Sequence, residues 1–245
     1  MMRRAAAVLL DLLFPKDCVC LGCGRLLVDD AERQLCSDCA EALRPLEGPR
    51  CPVCNAPTEG GGLCKACVRL PDIARVPGSA PYAYADTAQA LVHALKFQQV
   101  RIAAVPLALG MLEILPKDFD NLVPVPLHRR RERERGFNQA RLLCEALAER
   151  GGPPVLDALV RARATKPQSK LPEAERWKNL VGAFYEPFTV LGDLATQPVA
   201  GKRLILVDDV RTTGATTAAC AEALYAGGCR EVRVCTATAA LAKKT

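Results

Sequence analysis

The chain has 245 residues, 50% hydrophobic and 24% charged, with 33 Lys+Arg against 27 Asp+Glu for a formal net charge of +6. That length buries a real core, in one large domain or two modest ones, and that composition excludes a disordered chain. No apolar run reaches the ~18–20 residues of a membrane span, and the mild positive charge permits a polyanionic partner without requiring one.

Residues 1–19 carry Arg3-Arg4 followed by AAAVLLDLL, superficially a secretory signal. Asp11 interrupts the apolar run, no small-x-small cleavage site follows, and a cysteine cluster comes next. The stretch reads as a short amphipathic helix lying on the protein. A cytoplasmic chain is expected, with weak contact to the inner membrane through this helix as its one membrane role.

Nine of the thirteen cysteines precede residue 70, and eight of these form the Cys-x-x-Cys pairs Cys20/Cys23, Cys36/Cys39, Cys51/Cys54 and Cys64/Cys67. Thirteen is odd, so a fully paired disulfide framework is impossible. Two thiolates three positions apart sit on one tight turn and grip one face of a tetrahedral Zn²⁺; a second such turn closes the site. Two structural zinc ions are expected. Sequential pairing groups Cys20, Cys23, Cys36 and Cys39 on one ion and Cys51, Cys54, Cys64 and Cys67 on the other; interleaved pairing satisfies the same count. Cys18 is a spare that could replace Cys20. Thiols kept for metal imply a reducing compartment. Residues 20–70 show little periodic apolar pattern, so metal must supply folding energy there.

Pro71 and Pro77-Gly78 mark a linker, after which helices and strands alternate. Asp86 reads as an N-cap, with Ala88, Leu91, Val92 and Leu95 forming one helical stripe. NLVPVP (121–126) is a short buried strand. Ala140, Leu143, Cys144 and Leu147 repeat the helical spacing. VLDALV (155–160), RLILVD (203–208) and EVRVCTAT (231–238) read as strands. Thr217, Cys220, Ala221 and Leu224 give a helix between the last two, closed by Gly227-Gly228. Such alternation means an α/β fold with a parallel sheet covered on both faces. Cys144, Cys220 and Cys235 fall on apolar positions and carry no chemistry.

LILVDDVRTTGATT (204–217) is the most informative stretch. A buried strand ends in Asp208 and Asp209. A turn with Thr212, Thr213 and Gly214 then leads into a helix. Ligands of open α/β sheets bind at the carboxyl ends of strands. A small-residue turn opening a helix offers free N–H groups and the positive end of the helix dipole to a phosphate. Threonine hydroxyls, among them that of Thr216, can add donors. Two carboxylates can accept hydrogen bonds from adjacent ribose hydroxyls, so the pattern spells a ribose 5-phosphate.

Residues 129–135 hold five arginines and two glutamates, net +3. They follow a strand's C-terminal end, where a diphosphate with Mg²⁺ needs cations. Arg135, next to Gly136, is the leading candidate, with Arg163, Lys166 and Arg176 behind it. His128 reads equally well as an exposed turn residue. His93 is expected to be structural, and the lone Trp177 a packing anchor.

The 204–217 stretch resembles the 5-phosphoribosyl-1-pyrophosphate (PRPP) loop of type I phosphoribosyltransferases. VPVPLHRRRERERGFNQA (123–140), RARATKPQSKLPEAERWKNLVGAF (161–184) and LVHALKF (91–97) resemble the ComF family, late-competence proteins joining zinc ribbons to a phosphoribosyltransferase-like domain. The likeness runs from Cys20 to about Ala239, and its motifs include Gln168, Arg176 and Asn179. Gln98-Gln99 departs from it, because the family more often has a glycine after Lys-Phe.

The resemblance implies an N-terminal helix (1–19), a double zinc ribbon (20–70) and a Rossmann-like phosphoribosyltransferase domain (71–245). It implies that Asp208 and Asp209 hold the ribose hydroxyls. It further implies that Arg211, Thr212, Thr213, Gly214, Ala215 and Thr216 wrap the 5-phosphate, chiefly by backbone. PRPP with Mg²⁺, single-stranded DNA and a competence helicase are the implied partners.

A transferase would pass ribose 5-phosphate from PRPP to a nitrogen nucleophile, with Asp208, Asp209 and Arg135 in the machinery, though the sequence shows no strong general base. A PRPP sensor without turnover would use the same site. A DNA-binding module would use the arginines, although aromatics at 4% argue against an extensive stacking surface. Residues 18–70 sum to −1, and two Zn(Cys)₄ centres would add −4 more, so the basic face belongs to residues 71–245.

Overall fold

A computed structural model describes residues 19–27, 34–43, 45–69, 75–161, 184–185 and 198–240. The N-terminal helix expected over 1–19 and the spare Cys18 lie outside these residues, Val19 apart. So do Arg163, Lys166, Gln168, Arg176, Trp177 and Asn179.

Two short helices, α1 (Ser37–Ala42) and α2 (Lys65–Val68), belong to the cysteine-rich part. Then follow β1 (Gly78–Ser79), β2 (Tyr82–Ala83), α3 (Asp86–Phe97), α4 (Ala104–Glu113), β3 (Asn121–Pro124), α5 (Arg129–Arg135) and α6 (Gln139–Ala148). The chain continues through β4 (Val160–Arg161), β5 (Phe184–Tyr185), β6 (Arg203–Arg211), α7 (Ala215–Ala226) and β7 (Glu231–Ala239). The main sheet is parallel, in the order β1–β7–β6–β3, with β2 also on β7. Strand β6 is central, pairing Leu204 with Asn121 on one side and with Val232 on the other.

The two-residue period of β6 distributes its side chains between two cores. Ile205 and Val207 join Leu91 and Leu95 of α3, Leu107 and Met111 of α4, and Leu143 and Leu147 of α6. Leu204 and Leu206 face the other way, to Cys220 and Leu224 of α7 and Val232 and Val234 of β7. Each such fully buried side chain contributes about 1.5–3 kcal/mol. Both faces of the sheet are covered, as the alternation of elements predicts. No helix among the described residues is long and apolar enough to cross a membrane.

The cysteine-rich part is built into this body. Cys20, Leu35 and Cys39 belong to the same apolar cluster as α3, α4 and α6. Leu46 packs with Ala80 and Ala239, and its N–H donates to the Pro81 carbonyl at 2.8 Å. At the open side of β1, the Gly78 N–H donates to the Val53 carbonyl at 2.8 Å.

Two local expectations need correction. Asp86 is the first residue of α3 rather than its cap: Ala85 holds the cap position and no side chain caps there. VLDALV does not form one continuous strand. Val155 makes a single parallel bridge to Leu122. Ala158 and Leu159 then bury against the second core without a ladder, and Val160–Arg161 pair antiparallel with Phe184–Tyr185. Burial without pairing produces the same apolar run as a strand.

Candidate functional site

The eight cysteines gather in two sequential sets. Cys20, Cys23, Cys36 and Cys39 form one, and Cys51, Cys54, Cys64 and Cys67 the other, with all sulfurs of a set within 4.8 Å. A Zn–S bond of about 2.3 Å in a tetrahedron puts sulfurs ~3.8 Å apart. The Cys23–Cys36 and Cys54–Cys64 separations are 3.7 and 3.5 Å. Backbone N–H groups point at the sulfurs, Cys36 N–H at Cys20 and Cys67 N–H at Cys64. Arg25 adds two donors, to Cys23 and Cys36 at 3.3 Å each, and pairs with Asp38. Those donors draw the Cys23 thiol down to about 6. Two Cys₄ clusters of this geometry fit two zinc ions.

The second centre lies at the C-terminal end of β6. Asp209 is 6% exposed, and its Oδ1 accepts an ion pair from Lys96 of α3 at 2.8 Å. Asp208 Oδ1 accepts the Asp209 N–H at 2.9 Å. Burial, and then the neighbouring Asp209 charge, push the Asp208 carboxyl up to about 7 against the pull of Lys96. Two carboxylates therefore share one corner, one locked to a lysine and the other poised near neutrality.

Beyond them the chain turns through Thr212 and Thr213 to Gly214, which caps α7 with φ of +76°, a left-handed conformation that costs a glycine little. Among the described residues, the N–H groups of Thr212, Thr213 and Gly214 make no backbone hydrogen bond. The Ala215 N–H reaches only the Thr213 hydroxyl, at 3.4 Å. The turn thus presents donors at a helix N-terminus, the geometry that suits an anion. Thr216 is half-buried beside it, while Thr217 turns inward to the Gly214 carbonyl. Arg211 supports this turn from below. Its guanidinium is buried, donates to the Val76 carbonyl at 3.4 Å, and is seated so closely against β1 that a Cβ on Gly78 would lie 2.6 Å from Nη1. The neighbouring Cys64 and burial push the Cys54 thiol up to about 11, and the positive charge of Arg211 opposes that rise.

Helix α5 borders the corner. His128 caps it, Nδ1 accepting the Arg130 N–H at 3.2 Å. Arg130 pairs with Glu134 at 2.9 Å, and Arg129 and Arg133 stand in solvent. Arg135 turns back toward the carboxylates. Burial and Arg131 lower its basicity, while Asp209 attracts it. Lys96, Phe97, Gln99, Arg131, Glu134 and Arg135 line an open cleft of about 320 Å³. Gln99, two residues after Phe97, holds φ of +58°, a left-handed conformation that glycine adopts at less cost, whereas Gln98 has a φ of −108°.

Residues 9–68 match the family described as Double zinc ribbon domain. DNA utilization protein YhgH of Escherichia coli (strain K12) is 34% identical over 213 residues, covering 82% of this chain and 88% of that protein. Competence protein ComFC of Bacillus subtilis (strain 168) is 29% identical over 194 residues, 76% of this chain and 75% of its own. Competence protein F of Haemophilus influenzae is 34% identical over 114 residues, covering 46% of this chain and 47% of that protein. The chain belongs to the ComF family.

In this ComF chain the structure gathers Asp208, Asp209, Arg135 and the turn from Thr212 to Thr216 at one corner. It sends the Arg211 side chain beneath the turn instead. Two members of the corner escape a reading of the sequence. Lys96 sits in LVHALKF, where its charge marks the helix as amphipathic and nothing more. Arg161 is 8% exposed, attracted by Asp208 and repelled by Arg131. Its place at the end of an apolar run, VLDALVR, and at the start of the ComF-like segment 161–184 are the signals that sequence offers.

Proposed function

We propose that the chain binds a 5-phosphoribosyl ligand, PRPP with Mg²⁺, at the C-terminal end of β6, and acts in competence-related handling of DNA. The observation that carries the reading is the carboxylate pair at the end of the central strand, followed directly by a donor-rich turn into α7. Asp208 and Asp209 accept hydrogen bonds from the ribose hydroxyls. The N–H groups of Thr212 to Thr216 hold the 5-phosphate. Lys96 and Arg135 supply positive charge on the diphosphate side. Carboxylate oxygens suit Mg²⁺, which prefers oxygen donors and substrate phosphates; when bound it would neutralise the diphosphate. The relatives' names, DNA utilization and competence, support a role with DNA. The exposed arginines of α5 are the proposed contact for a single strand's phosphates.

The test is thermal stabilisation by Mg²⁺-PRPP across pH. Asp208 is the stronger acceptor for ribose hydroxyls when ionised, and burial with the neighbouring Asp209 pushes its carboxyl up to about 7. Protection therefore grows as pH rises through 7 and fades below it. It disappears in Asp208→Ala/Asp209→Ala. Absence of any shift at pH 8 refutes the phosphoribosyl reading. Pyrophosphate release in the presence of one base would identify a transferase; protection without turnover would identify a sensor.

A further inference from the structure

The buried stripe of α3 is formed by Ala88, Leu91, Val92, Ala94 and Leu95. Phe97 lies off that stripe and is 63% exposed. One turn earlier on the same face, exposed His93 stacks against it, ring centroids 4.8 Å apart and tilted by 47°. The Arg135 guanidinium lies 5.6 Å from the Phe97 centroid. Aromatic residues make up only 4% of the chain, so an aromatic pair left in solvent needs an account. Tyr225, the other large exposed aromatic among the described residues, has one, since its hydroxyl accepts the Val232 N–H. Phe97 also lines the cationic cleft with Lys96, Arg131 and Arg135, and the residue before it anchors Asp209. Hydrophobic area, a flanking guanidinium and cations for phosphate are together what an unstacked nucleotide needs.

We propose that Phe97, flanked by His93 and Arg135, is the stacking surface for one unpaired nucleobase whose phosphate lies along Lys96, Arg131 and Arg135. The proposal deepens the reading above, because the ring borders the same carboxylate corner. The base can belong to a DNA single strand or to a free nucleobase or nucleotide. Both present the same π-face, and one experiment separates them.

The full-length protein is titrated with a labelled oligothymidylate and with an abasic strand of equal length, at fixed salt. Wild type prefers the base-bearing strand. Phe97→Ala and Phe97→Leu weaken that strand by about 5- to 100-fold and bring the two affinities together; Phe97→Trp restores the preference. Competition by thymidine 5′-monophosphate, or by adenine in the presence of Mg²⁺-PRPP, assigns the surface to free bases as well. Competition by strands alone assigns it to DNA. An unchanged preference in Phe97→Ala, or equal losses on both strands, overturns the proposal. Mg²⁺-PRPP stabilisation of wild type is measured alongside. Its absence with an intact Phe97-dependent preference sinks the phosphoribosyl reading alone, and its presence without that preference sinks the stacking surface alone.

Discussion

Replacing Lys96 with methionine keeps the aliphatic stem and removes the charge that holds Asp209. The lysine side chain is 20% exposed and the aspartate 9%, with Nζ and Oδ1 2.8 Å apart. Deleting one partner of a fully buried pair costs ~3–5 kcal/mol, and of an exposed pair ~0–1 kcal/mol. This pair lies nearer the first case, so Lys96→Met should cost about 2–3 kcal/mol at pH 8. For a chain of this size that lowers the Tm by roughly 4–12 °C. The loss should depend on pH in one direction. Asp208 already titrates near 7, above its unfolded value, so its contribution to stability falls as pH rises toward that point. Removing the strongest cationic pull on it raises it further. Proton uptake then relieves the crowded carboxylates, and the deficit shrinks between pH 8 and pH 5.5. Scanning calorimetry of both proteins at the two pH values measures this. An Asp209→Asn background should remove much of the effect, since residues in direct contact do not add. A deficit equal at both pH values, or unchanged in Asp209→Asn, would mean that Lys96 acts through packing, and the electrostatic account of the corner would fall.

Metal analysis of the purified protein should find two zinc ions per chain, falling to one in Cys54→Ser; fewer than two in wild type would contradict the Cys₄ geometry. Gln99→Gly should raise the Tm by roughly 1–3 °C, because a left-handed φ strains glutamine more than glycine's extra chain entropy costs. A fall in Tm would show that the Gln99 side chain, at the rim of the cleft, contributes more than its backbone loses.

What the sequence discloses is what neighbouring residues decide together. Strand β6 reads from four consecutive apolar residues, and the turn after it from Thr-Thr-Gly. The zinc clusters read from Cys-x-x-Cys spacing, because each knuckle is local. Which knuckles share an ion depends on how the chain folds back, and the structure groups them in sequence. The stripe of α3 is plain, yet its polar face conceals the ion pair to Asp209, since a helical lysine looks the same whether it meets water or a carboxylate from another element. Asp86 illustrates the same limit at a helix end: an acidic residue stabilises a first turn without capping it. VLDALV shows the limit for strands, since Ala158 and Leu159 need burial but not a neighbour in a ladder.

The hydrogen bond from Gly78 to Val53 places the second cysteine knuckle against the outermost strand of the sheet, with the Leu46 N–H bonded to Pro81 a little further along. An uncovered outer strand is a template on which another chain can add its own. The second knuckle lies at that position, so zinc, by holding the knuckle's fold, would also keep the outer strand covered. Chelated protein should therefore aggregate in a concentration-dependent way, visible by light scattering. A simple loss of structure, equal at all concentrations, would show that the knuckle has no such protective role.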